Sequence, residues 1–416
     1  MSSGIVHVIG AGLAGLSAAV DLSRRGVRVA LHEATQQAGG RCRSYFDATL
    51  GMEIDNGNHL ILSGNHATLA YLDLIGAREG LTKSSSASFP FVDLKTGERW
   101  TLRANEGPIP WWILAPARRV PGAPLSAYFE LSKLLRPPAS AAIGETLHCA
   151  GPLYERLLEP FLMSALNVEP KEGSAALAAS VIRETLAAGG RHYHPLTASD
   201  GLSKSFVDPA LRFIGWCGGS VHFGQRLRGV KLDHARAVQL DFADASVPLS
   251  PADAVILATP PQVAGELIPD ISTPTQFRAI VNAHYRVTPP SGVAPMIGVV
   301  NGMAQWLFAF PGRLSVTISA ADHLLDEPRD ALAARIWRDV AAVAEITGPM
   351  PAWQIVRERR ATFAATPEQD AKRPHARTAW NNLSLAGDWT QTGLPATIEG
   401  AIRSGVKAAR LLAPIV

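Results

Sequence analysis

The sequence predicts an α/β protein in which a parallel-sheet domain is interleaved with an α+β domain. Three observations predict it. The chain opens on a strand-like apolar run, IVHVI, that feeds into glycines and then into a helix-like run, LAGLSAAVDLS. A second apolar run, VRVALHE, follows and closes on an acid. Buried-strand character then fades and returns twice far downstream, as ADAVILATPP and as LSLAGDW. A strand–helix–strand start with widely separated later strands describes a Rossmann-like domain assembled from several segments.

The first element carries the most specific chemistry. Gly10, Gly12 and Gly15 stand in G-x-G-x-x-G spacing, and Glu33 ends the second strand. Gly10 permits a tight turn, Gly12 lets backbone approach a pyrophosphate, and Gly15 lets helix pack on strand. The helix N-terminus at Leu13 and Ala14 can hold phosphate, and Glu33 can accept from a ribose hydroxyl. An ADP-containing cofactor is therefore expected.

Later elements follow in order. Short strand-like pieces run from Lys83 to Trp100, then a stretch rich in Pro and aromatics, GPIPWWILAPARRVPGAP. From Leu125 to about Glu184 apolar residues recur at three- and four-residue spacing, a helical pattern. SVHFGQRLRGVKL and VQLDF read as paired strands. The uncharged stretch Val287–Gly312 contains prolines and an Asn301-Gly302 turn, so it reads as a hairpin of buried strands and not as a membrane span. The strand LSVTISA and helices near 330–347 and 396–412 complete the chain. Residues 1–80, 216–272 and 367–416 are assigned to the cofactor domain, and 81–215 and 273–366 to a substrate domain.

Composition narrows the class. The chain has 416 residues, 18% charged and 47% apolar, with a net charge of +3. That charge is too small to argue for nucleic acid. The low charge content suits an enzyme of apolar substrates. Three scattered cysteines, in no C-x-x-C, fit a reducing cytoplasm and speak against a disulfide scaffold or a zinc cluster. His192 and His194 have no third ligand at matching spacing, so no metal is expected. With the first strand at the N-terminus, no signal peptide is expected.

Three motifs specify the cofactor further. AGGRCRS places Arg41 after paired glycines, where a planar guanidinium can meet a pyrophosphate. LAGDWTQTGLPATIEGAIRSG ends a buried strand at Gly387-Asp388 and starts a helix near Ala396-Thr397. An acid at such a strand end can bind a ribityl hydroxyl, and the helix N-terminus can stabilise charge at a flavin edge. DNGNHLIL packs Asp55, Asn56, Asn58 and His59 around Gly57, either as a plain turn before a strand or as part of a site. Separately, Trp111, Trp112, Ile113 and Leu114, followed by Arg118 and Arg119, resemble a segment that docks at a membrane surface, with core packing as the alternative.

On these motifs the chain resembles the flavin amine oxidase/phytoene desaturase superfamily. GAGLAGL, GGRCRS, DNGNH, VILATPP and LAGDW–GLPATIEGAIRSG fall in that superfamily's order. DNGNHLIL, LLEPFLMSALNVEP, AQWLF and DWTQTGLPATIEGA are similar to its squalene-associated branch, the bacterial hydroxysqualene dehydroxylases. Asn58 stands where Gln is expected and Gly400 where Ser is common.

The resemblance implies a fold of the glutathione-reductase/amine-oxidase type with non-covalent FAD. Gly10, Gly12, Leu13, Ala14, Gly15 and Glu33 would hold the ADP half, Gly40 and Arg41 the pyrophosphate, and Leu227 the adenine. Gly57, Asn58 and His59 would lie near the flavin ring, Gly387 and Asp388 by the ribityl-phosphate region, and Pro395, Ala396, Thr397 and Ile398 along the isoalloxazine. The implied reaction is reductive removal of the hydroxyl from hydroxysqualene, an allylic alcohol, giving squalene for hopanoid synthesis. Here His59 and then Asp55 are the candidate catalytic groups. Without a second G-x-G-x-x-G for a nicotinamide cofactor, a separate reductase or free reduced cofactor must supply electrons. The resemblance also implies a cytoplasmic protein, with attachment to the inner face of the cell membrane as a further expectation. An oxidative desaturase or amine oxidase and a non-catalytic FAD-bound isoprenoid carrier are the competing readings.

Overall fold

A computed structural model describes residues 4–84 and 86–412. The ends of the sequence-assigned cofactor segments, residues 1–3 and 413–416, and residue 85 lie outside the described residues. The cofactor side is a five-stranded parallel sheet ordered Ser220–His222, Arg28–His32, Ile5–Ile9, Ala254–Leu257 and Leu383–Leu385. Its central strands are buried and largely aliphatic because both faces are covered, with His7 and His32 the buried polar exceptions. Helices Leu13–Ser23 and Ile398–Leu412 cross closely on one face. A Cβ on Gly405 would sit 2.1 Å from the Ala14 carbonyl oxygen, so that crossing requires a glycine. A three-stranded antiparallel sheet, from Leu227 to Pro248, lies on the other side.

Helix Asp208–Trp216 falls in the stretch that the sequence reading gave to the substrate domain. It packs on the fingerprint helix through Ala210 and Ile214, within the aliphatic core of the parallel sheet. Helix His66–Leu74 joins the same core.

The second domain rests on a seven-stranded sheet ordered Trp353–Phe363, Phe277–Tyr285, Arg313–Ile318, Trp306–Phe310, Met296–Val300, Ser88–Asp93 and Arg99–Arg103. The Asn301 hairpin forms as expected, with Asn301 at φ 59° in the left-handed region. Helix Arg329–Ala344 covers the outer face, burying Ile336, Trp337 and Val340 on Val281, Leu307 and Val316. The helical region to Glu184 is more broken than its periodicity implied, with π-helical turns at Tyr154–Leu158 and Ser203–Val207 nearby. Among the described residues no helix is long and apolar enough to cross a membrane.

The sheet's inner face divides into two zones because paired residues point the same way. Phe91, Trp100, Trp306, Phe308 and Phe310 form an aromatic wall. Across the register lie Asn282, His284, Arg313, Ser315 and Thr317, a polar ladder. Gly298 makes the wall possible, since a Cβ there would sit 2.3 Å from the Phe91 ring. Phe91 then stacks on Trp100 and meets Trp306 edge-on, each at a centroid distance of 5.5 Å.

Candidate cofactor and substrate site

Four segments converge at the carboxyl ends of the parallel strands, where open α/β sheets bind ligands. The fingerprint glycines have different jobs. A Cβ on Gly15 would lie 1.8 Å from the Gly10 carbonyl oxygen, and Gly10 itself is at φ +106°. Both are therefore required by the protein's own packing. Gly12 adopts φ −73°, which any residue tolerates, and a Cβ there meets no protein atom within 4 Å. The bare backbone at Gly12 borders open space, beside first-turn amides that have no intrahelical acceptor. That cradle fits a pyrophosphate. Gly40, at φ +55°, closes over it, 3.5 Å from Gly12 Cα by its ideal Cβ.

Glu33 ties the cradle together. Its carboxylate accepts from the Ala11 amide and from the Thr35 amide and hydroxyl, each at 2.9 Å. Gln225, two residues before Leu227, donates its amide to the Glu33 carbonyl at 2.8 Å. Leu227 is thereby brought to the Glu33 end of the cleft.

Arg41 and Asp388, assigned separately to the cofactor, meet each other. Nη2 of Arg41 donates to both Asp388 oxygens at 2.8 and 2.7 Å. Burial opposes the guanidinium charge, but the adjacent Asp388 carboxylate outweighs it and raises the arginine pKa. The Arg41 side chain is deep in the molecule yet 45% exposed, so it borders an internal space.

Arg373 carries no motif and was missed by sequence reasoning. It is wholly enclosed, and its guanidinium donates to the Asp388 carbonyl at 3.1 Å, to Thr392 Oγ1 at 2.8 Å and to the Thr390 carbonyl at 3.0 Å. Asp370 balances its charge at 2.8 Å. Arg373 therefore shapes the loop that presents Asp388. Gly387 is needed under the same loop, because a Cβ would meet the Trp389 indole at 2.2 Å. Trp389 is buried and donates Nε1–H to the Thr259 carbonyl at 3.0 Å, which fixes the indole under the loop.

The DNGNH segment lies on the polar ladder. Asn58 Nδ2 donates to Thr317 Oγ1 at 3.1 Å, which in turn donates to Asn282 Oδ1 at 2.8 Å. Gly57 sits against Asn282, and Asn56 donates to Glu358 at 3.1 Å. Asp55 is fully committed: it accepts from Ser44 Oγ at 2.6 Å and the Leu202 amide at 2.8 Å, and pairs with Arg313 at 3.3 Å. Those contacts give Asp55 a scaffolding role. His59 has no hydrogen-bond partner among the described residues. Burial lowers its pKa to about 4; nearby Asp55 opposes this and Arg41 reinforces it. His59 is thus a neutral imidazole at neutral pH.

The helix beyond Asp388 starts at Ile398, capped by Thr397 Oγ1, which accepts from the Gly400 amide at 3.0 Å. Pro395 and Ala396 form the approach. Glu399 faces away and caps another helix, accepting from the Ala67 and Thr68 amides at 3.0 and 2.8 Å. Arg403 links Glu399 to Glu184, all at 2.8 Å. No local pattern signals this lock, because its partners come from distant segments.

The docking segment is corrected in part. Trp112 is buried edge-on against Tyr128 at 5.6 Å and so anchors the turn from inside. Trp111 and Leu114 are exposed, and Ile109 and Phe129 join them. His194 pairs with Glu106 at 3.0 Å, and no metal-holding cluster occurs among the described residues.

The chain is similar to known proteins over nearly its full length. It matches the family of flavin-containing amine oxidoreductases over residues 13–413. It is 53% identical over 408 residues, 98% of both chains, to a Rhodopseudomonas palustris protein named hydroxysqualene dehydroxylase. It is 52% identical to a Sinorhizobium fredii protein of the same name, over 98% of this chain and 97% of that one. The cyclohexylamine oxidase of Brevibacterium oxydans shares the fold, with a TM-score of 0.70 at 16% identity over 99% of each chain.

Proposed function

The chain belongs to the flavin-containing amine oxidoreductases, and on that premise we propose that it is an FAD-dependent enzyme that reductively removes the hydroxyl of hydroxysqualene to give squalene. One observation carries the reading: about half of all positions are identical, over nearly the full length, to proteins named for that reaction. FAD fits the residues present, since the open Gly12 cradle has no protein partner of its own. Gly10 to Gly15, Glu33, Gly40 and Arg41 would hold its ADP half and pyrophosphate. Asp388 and the helix start at Pro395 to Ile398 would border the flavin end.

In its reduced form FAD supplies a hydride. The substrate loses its hydroxyl with one proton, as water, and the allylic carbon gains the hydride, so atoms and charge balance. The protein's task is to make the hydroxyl leave and to keep water out. His59, neutral and without a partner, has an N–H free to bond the departing oxygen. The aromatic wall offers ring faces to the developing allylic cation and excludes bulk water. Arg373 and Arg41 keep the Asp388 loop in place.

The membrane reading is retained with a revised residue set. Ile109 is 75% exposed, Trp111 53%, Leu114 62% and Phe129 62%. Residues 103–136 carry five basic side chains (Arg103, Arg118, Arg119, Lys133, Arg136) against two acidic ones (Glu106, Glu130), a balance of +3. Apolar side chains within a basic segment match an anionic bilayer surface. Electrons reach FAD from a separate reductase or free reduced cofactor.

Purified protein supplied with FAD, a reductant and hydroxysqualene tests the reading. Squalene in the product supports it, and unchanged alcohol with fully reduced flavin refutes it.

A further inference from the structure

A cavity of about 680 Å³ lies beneath the 103–118 segment, apart from the fingerprint cradle. Its apolar wall is made by Ala87, Ala104, Pro108, Ile109 and Trp111. Three charged side chains, Arg103, Glu106 and Arg118, also line it. Glu106 is held by His194 Nε2 at 3.0 Å, and the Arg118 guanidinium stacks on the Trp111 ring at 4.9 Å. Ile109 and Trp111 are also among the exposed apolar residues, so the cavity opens beside exposed apolar side chains.

The chain tethers this cavity to the DNGNH segment. Glu106 bonds His194, and His194 bonds Ser63 in both directions: its carbonyl accepts the Ser63 amide at 3.1 Å and its amide donates to Ser63 Oγ at 2.9 Å. Ser63 is four residues from His59, a span of at most about 14 Å of extended chain. The cavity wall and the segment that carries His59 are therefore joined by hydrogen bonds.

We infer that this cavity receives the hydrocarbon tail of a long polyprenyl alcohol, which enters across the Ile109–Trp111 rim from a lipid phase. The inference rests on the dehydroxylase reading. It assigns a binding role to Ala104 and Ile109, which lie in none of the cofactor motifs.

Two variants test it. Ala104→Phe fills the cavity from its wall. Ile109→Gln alters the rim at a side chain too exposed to matter for folding. Bound FAD, read by its visible absorbance, confirms that each variant is folded. The first readout is quenching of tryptophan fluorescence by brominated squalene in the oxidised protein. Its apparent affinity is expected to fall about tenfold in Ala104→Phe, the equivalent of two lost buried methylenes, and measurably in Ile109→Gln. The second is the ratio of kcat/KM for a thirty-carbon against a fifteen-carbon allylic alcohol, expected to fall by a similar factor in Ala104→Phe. Quenching at wild-type affinity in both variants overturns the inference. If wild-type protein turns over no allylic alcohol, the dehydroxylase reading fails instead, and the quenching comparison still decides the cavity.

Discussion

Gly12 and Gly15 are both fingerprint glycines, yet their surroundings differ and so should their variants. At Gly15 a methyl group collides with backbone, whereas at Gly12 it enters open space beside the cradle. Gly15→Ala is expected to cost about 3 kcal/mol or more in chemical unfolding, the scale of a severe overpacking change. Gly12→Ala should unfold like wild type but bind FAD at least about tenfold more weakly, measured by titration of the apoprotein. His59→Ala should retain FAD and lose squalene formation, measured by flavin content and product; full activity would remove His59 from the mechanism. The glycines were legible in the sequence because their constraints are local. Arg373 was not, because its partners at Asp388, Thr390 and Thr392 come together only when the strand end folds over it. Sequence proximity brought Asp55 under suspicion, and its saturation by Ser44, Leu202 and Arg313 explains it as scaffold.

At the scale of elements, the sheets explain both the site and a pH response. The strands of the second domain were readable as apolar runs. Their two-zone inner face was not, because the zones depend on register: Trp306 stands opposite Thr317, and Phe308 opposite Ser315. Each sheet also buries a histidine. His32, on the cofactor sheet, has its pKa lowered by burial to about 4, and His284, on the polar ladder, to about 3. Both are neutral when folded and titrate near 6.5 when unfolded. Below pH 6.5 the unfolded chain binds protons that the folded chain does not, so stability falls as pH drops from 6.5 towards 4. At pH 5 the loss is about 2 kcal/mol for each histidine. Urea unfolding at pH 7 and pH 5 checks this: the midpoint should fall, and fall less in His32→Gln. A midpoint that does not move would contradict it.

The whole molecule couples a nucleotide-binding sheet to an apolar sheet by threading the chain back and forth between them. The interleaving was legible as recurring buried strands; the packing of helix Asp208–Trp216 on the fingerprint helix was not, since its amphipathic pattern names no partner. The exposed set Ile109, Trp111, Leu114 and Phe129 is the surface that the proposed membrane reading assigns to a bilayer. In flotation with anionic vesicles, replacing Trp111 and Leu114 by Ser should reduce the bound fraction several-fold, while Trp112→Ser should act through lost packing and lower the unfolding midpoint. Undiminished flotation of the Trp111/Leu114 variant would remove this surface from membrane binding. The central claim is that reduced flavin delivers hydride to the carbon that loses its hydroxyl. The most direct test is a single-turnover reaction in D2O, where the transferable position of reduced FAD carries deuterium. The account predicts squalene one mass unit heavy, with flavin reoxidised in equal amount. Unlabelled squalene, or oxidation of the alcohol with flavin reduced, would contradict it.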